Sequence, residues 1–149
     1  MKLYYASGAC SLAPHIVARE AGLKIDLDKL DFATGKTESG ETFAEVNPKG
    51  YVPALELDDG QLLTENIAIL SWVADKDPSL GLSGPMGRYR LLEMLAFIST
   101  EIHKAFKPFF NPEAVQAEKS GAMQTLHKRF GFIAGQIRGD YLFGPQFTV

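Results

Sequence analysis

The chain has 149 residues, room for one compact domain or two small ones, and at 46% apolar and 22% charged it should bury a core. Its net charge of −3 argues against nucleic-acid or anionic-membrane partners, which want a basic face. No apolar run is long enough to cross a bilayer, and Met1-Lys2-Leu3-Tyr4-Tyr5 does not open a signal peptide, so a cytoplasmic location is expected by default. One cysteine rules out an internal disulfide, and with three scattered histidines it gives no structural zinc spacing.

Lys2 to Tyr5 reads as a short strand and Ala6-Ser7-Gly8-Ala9 as a turn. Ser11 to Ala21 has helical spacing, with Pro14 in the first turn and Gly22 as its stop. Ile25 to Asp31 alternates as a second strand, so a parallel pair with a crossover helix is expected. Phe32 to Gly40 reads as a loop and Glu41 to Val46 as a short helix. Tyr51 to Leu57 and Gln61 to Leu63 form a hairpin about Asp58-Asp59-Gly60. Thr64 is the expected N-cap of a helix from Glu65 to about Asp75. Residues 77–85, rich in Pro and Gly, read as a linker between a domain at 1–76 and a helical domain at 86–149. Met86 to Phe110 and Glu113 to about Ile137 read as two long helices with apolar stripes. The fold class is therefore α/β, with four strands in the first domain, followed by an all-α part.

Four places carry chemistry. Cys10 stands at the start of a helix, where the macrodipole favours a thiolate, although a lone Cys can equally be a packed one. Val52-Pro53 puts a proline in a strand; a cis bond there would leave the preceding backbone free to pair with an extended peptide, whereas a trans bond is the commoner case. Glu65-Asn66 opens a helix, where an acid and free N–H groups can hold an ammonium and a carboxylate, or merely cap the helix. His103-Lys104 lies within the long helical segment and is either a solvated pair or one that faces a cleft.

Together these segments resemble one family. Gly8-Ala9-Cys10-Ser11-Leu12-Ala13-Pro14-His15, Asn47-Pro48-Lys49-Gly50-Tyr51-Val52-Pro53-Ala54-Leu55, Leu63-Thr64-Glu65-Asn66-Ile67-Ala68-Ile69 and Glu101-Ile102-His103-Lys104-Ala105-Phe106 look like bacterial beta-class glutathione transferases, in family order. The resemblance implies a thioredoxin-like domain with a four-stranded mixed sheet, joined to an all-α domain and working as a homodimer. It implies a cis Pro53, Val52 pairing with the cysteinyl backbone of glutathione, and Tyr51, Glu65 and Asn66 among the glutathione contacts. Cys10 and His103 become the catalytic candidates and Lys104 a further contact. Where the class often has a Lys, this chain has Gly35, and Lys36 is the expected substitute. Phe147-Thr148-Val149 leads, in the family, into an N-capped helix and further helices, so the helical domain is expected to lack its last ones.

The activity implied is conjugation of the glutathione thiolate to a small apolar electrophile, with glutathione as co-substrate and neither cofactor nor metal. Thiol–disulfide exchange through Cys10 and non-catalytic binding of glutathione or an apolar ligand are the alternatives.

Overall fold

The computed structural model describes residues 1–149, which fall into two units: Met1–Leu80 with Val149, and Gly81–Thr148. In the first, β1 (Lys2–Tyr5) is the central strand of a five-stranded mixed sheet, order β3-β2-β1-β4-β5. It pairs parallel with β2 (Asp26–Asp31) and antiparallel with β4 (Ala54–Glu56), which turns back antiparallel into β5 (Leu62–Thr64). The sheet has one strand more than the sequence suggested. Lys36–Thr37, read as loop, forms a two-residue edge strand, β3, antiparallel to β2. Two residues are too few for a period-2 pattern to be visible.

The β1 side chains alternate between two cores. Leu3 joins Leu55 and Ile69 on one face, with Leu27, Leu63 and Trp72 against them. Tyr4 joins Leu30, Phe43, Val52 and Ala54 on the other. Between β1 and β2 runs α1 (Leu12–Glu20), which packs beside α3 (Asn66–Lys76). Gly22 ends α1 as expected: at φ 65° its N–H bonds Arg19 O, and Leu23 N–H bonds Ala18 O, the paired bonds of a Schellman stop. The expected short helix is α2 (Phe43–Val46), and its Phe43 is buried.

Thr64 does not cap α3. It closes β5, and Glu65 takes the N-cap position without a side-chain cap bond. Pairing with Ala54 keeps Thr64 in the strand, so the cap position falls one residue later.

In the second unit, the expected single helix over Met86–Phe110 is broken. α4 (Gly87–Phe97) passes into a π-turn at Ile98–Ile102, a 3₁₀ turn at His103–Phe106 and a short α5 (Lys107–Phe110). Pro108 is the physical cause on the C-terminal side. It has no N–H for the Lys104 carbonyl and its ring crowds that carbonyl, which instead accepts from Lys107 in a tighter turn. Apolar periodicity alone does not show this break. The last long helix, α6 (Gln116–Ala134), begins at N-cap Val115, whose N–H bonds the Glu118 carboxylate at 3.0 Å. Glu101 and Arg129 form an ion pair of 2.5 Å, and the Phe97 and Phe132 rings lie 5.0 Å apart. Phe110, Met123, Phe130 and Phe132 remain exposed. No helix is long and apolar enough to cross a membrane.

An acid that the alternation hid fastens the edge of the sheet. Asp28 is buried and accepts the Ser39 N–H at 3.1 Å and the Ser39 hydroxyl at 2.6 Å, with Lys2 Nζ at 3.9 Å. Burial pushes its pKa up, but the Ser39 bonds, Thr37 and Lys2 together hold it below the usual carboxylate value. A carboxylate held low in the folded state adds stability above the unfolded-chain value, and loses it as pH falls through the lowered one. Asp28→Asn should therefore cost about 2 kcal/mol in urea unfolding at neutral pH. The gap to the parent chain should narrow as pH falls below about 4.

Candidate functional site

Two buried polar side chains shape the loops of the site. Ser11, fully buried, accepts the Ala6 N–H at 3.1 Å and donates to the Ala6 carbonyl at 3.3 Å, closing the turn that carries Cys10. Asn47, 1% exposed, donates to the Tyr51 carbonyl at 2.8 Å and accepts the Lys49 N–H at 3.2 Å. It thereby closes the Asn47-Pro48-Lys49-Gly50 loop from inside and delivers Tyr51, Val52 and Pro53 to the start of β4. The Val52–Pro53 bond is cis, as the resemblance implied.

Cys10 lies where these loops meet. Its thiol donates to the Val52 carbonyl at 3.5 Å, and its own carbonyl accepts from Asn66 Nδ2 at 3.1 Å. The Asn66 Oδ1 atom is buried without a hydrogen-bond partner. Glu65 is the one non-glycine residue with positive φ, at 71°, a strained conformation of the kind found at functional sites. Its Oε1 accepts from Lys49 Nζ at 2.8 Å and from the Tyr51 hydroxyl at 2.7 Å. Lys49 and Tyr51 together hold the Glu65 carboxyl below its usual pKa. Lys36 stands apart from that pair, lining an open groove of about 600 Å³ with Ala6, Ser7, Phe32 and Glu38. Cys10, Val52, Pro53, Tyr51, Glu65 and Asn66 are thus brought together in the first unit. His103 and Lys104, both exposed, belong to the second unit and open its 3₁₀ turn.

Cys10 stands just ahead of α1, which begins at Leu12 with Ser11 as its N-cap, but the thiolate that a helix start favours does not prevail. Burial is the largest influence on the thiol and raises its pKa. The Cys10 and Ser11 N–H groups and the Asn66 amide pull the other way, the Glu65 carboxylate adds to the rise, and the net is upward. Lys49, by contrast, has no role that the sequence makes visible. Its 16-residue separation from Glu65 gives no local signal, and only the return of the β4–β5 hairpin brings the two together.

Residues 8–76 match the model of the glutathione S-transferase N-terminal domain. Glutathione S-transferase GstA of Escherichia coli O157:H7 is 40% identical across 100% of this chain and 76% of its own length. The chain belongs to the glutathione S-transferase family. Among solved structures, the bacterial transferase BphK in a ternary complex matches with TM-score 0.93 at 49% identity, over 99% of this chain and 76% of that one. The beta-class transferase of Sphingomonas chungbukensis matches at 0.87 and 43%, over 99% and 76%. The beta-class resemblance and the thioredoxin-like sheet followed by a helical part, both expected from the sequence, are borne out.

A thiol pushed up in pKa alkylates slowly, because only the thiolate is the nucleophile. In the free chain at neutral pH, Cys10 should react with iodoacetamide at least about threefold more slowly than free cysteine. Its rate should still be rising at pH values where an ordinary thiol has levelled off. As the chain has one cysteine, intact mass reads the reaction directly, and a plateau near neutral pH would contradict the burial argument.

Proposed function

We propose that this chain is a glutathione transferase. It binds the tripeptide along Val52, Glu65 and Asn66 and directs the tripeptide's thiolate at an electrophilic carbon of a small apolar compound. The observation that carries the reading is the meeting of the Val52 carbonyl and the Asn66 amide at Cys10, 3.5 and 3.1 Å away. A peptide laid along that line finds backbone groups of Val52 for its central residue, and the α3 N-terminus with Glu65 for an amino-acid head. Tyr51 holds the Glu65 carboxylate in place, and Lys36 serves the far carboxylate of the tripeptide. The roles of His103, as second catalytic group, and of Lys104 rest on the family resemblance of the Glu101–Phe106 segment.

Chemically, the bound thiol gives up its proton to solvent, the sulfur pair forms a bond to carbon, and the leaving group departs with its electrons. The protein contributes position and electrostatic support for the sulfur. The raised pKa of the half-buried Cys10 thiol leaves it less thiolate with which to attack a disulfide, which favours conjugation over exchange. Conjugation therefore comes first. A homodimer and a cytoplasmic location complete the proposal, on family grounds.

Capture on immobilised glutathione, followed by conjugation to an aromatic halide, tests this reading; a folded chain that is not captured sinks it. Cys10→Ala should still be captured and should keep conjugation within about tenfold of the parent, since the attacking sulfur is the co-substrate's. Loss of disulfide reduction with conjugation untouched would instead assign Cys10 to exchange.

A further inference from the structure

Lys49 is a charge for which conjugation supplies no task. Its ammonium is held by Thr64 Oγ1 and by Glu65 Oε1, both at 2.8 Å. The Tyr51 hydroxyl takes the same carboxylate oxygen. Glu65 is therefore not a bare anion awaiting a cation; it is half of an ion pair whose charges sum to zero. Both side chains are about half exposed, 49% for Lys49 and 50% for Glu65, so both heads stay within reach of a ligand. Beside them, Asn66 Oδ1 is a buried acceptor with no partner.

A ligand that brings only an ammonium to Glu65 meets the like charge of Lys49 at the same oxygen, and the repulsion acts across a few ångströms of partly screened space. A ligand whose ammonium and carboxylate share one carbon meets an anion and a cation side by side. Selectivity arises here from a repulsive element as much as from an attractive one.

We propose that Lys49 determines the selectivity of the head-group pocket: paired with Glu65, it makes the pocket accept an α-amino-acid zwitterion and reject a head that offers an ammonium alone. The inference rests on the reading of Glu65 and Asn66 as the seat of the γ-glutamyl head of glutathione. Lys49 is a specificity-determining residue in this scheme, and the chemistry at sulfur does not pass through it.

Three tripeptides test it by calorimetric titration of the whole chain: glutathione, 4-aminobutyryl-cysteinylglycine without the α-carboxylate, and glutaryl-cysteinylglycine without the α-ammonium. In the parent, each analogue should bind about tenfold or more weakly than glutathione. In Lys49→Met, the 4-aminobutyryl analogue should recover about tenfold relative to glutathione while the glutaryl analogue stays behind. Lys49→Gln should give the same ranking as Lys49→Met, and Lys49→Arg should keep the parental one; melting temperatures check that all three variants fold. Equal changes for all three ligands in Lys49→Met, or a 4-aminobutyryl analogue that lags as far as in the parent, overturn the role of Lys49. Failure of the parent chain to bind glutathione overturns the pocket itself, and the two failures are distinguishable.

Discussion

The site depends on one buried carboxamide. Asn47 has almost no solvent contact and spends its side chain on the backbone of its own loop, a bond to the Tyr51 carbonyl and one from the Lys49 N–H. Those bonds fix the conformation of a segment with no helix or strand of its own. Tyr51 and Lys49 point to Glu65, and Val52 sets its carbonyl over the Cys10 thiol. An unpaired amide buried here would be costly, so the loop either closes on Asn47 or does not form. Ser11 does the same for the turn that carries Cys10. The functional groups are thus presented by irregular backbone that polar pegs make rigid, while the sheet beneath supplies the anchorage.

Electrostatics at the site are balanced rather than strongly signed. Glu65 is offset by Lys49, and the N–H groups around Cys10 are offset by burial and by the Glu65 charge. In the free chain this leaves the thiol protonated and the carboxylate ionised but paired. Such a site is quiet until a ligand brings charges of its own. That suits an enzyme whose nucleophile belongs to the co-substrate.

Much of this architecture was legible in the sequence. Period-2 alternation in Ile25–Asp31, the Asp58-Asp59-Gly60 turn and the Gly22 stop each rest on local chemistry, and each appeared where expected. The motif segments around Cys10, Val52-Pro53 and Glu65-Asn66 were legible too, because together and in order they resemble one family. Four things were not. The β3 edge strand is shorter than any period. The break in the helix before Phe110 needed attention to Pro108, whose effect falls on a carbonyl four residues upstream. The Lys49–Glu65 pair and the buried Asp28 depend on partners far along the chain, and alternation alone made Asp28 look like any solvated acid.

The positive φ at Glu65 bears on how the head-group pocket can be redesigned. A side chain at φ 71° tolerates few alternatives, and β-branched residues fare worst there. Libraries that randomise position 65 would be depleted by backbone intolerance before ligand preference is ever sampled. Positions 49 and 51 reach the same carboxylate from a loop whose shape is set by Asn47, and their own side chains are exposed. New head-group preferences are therefore more accessible through those two neighbours than through the acid itself.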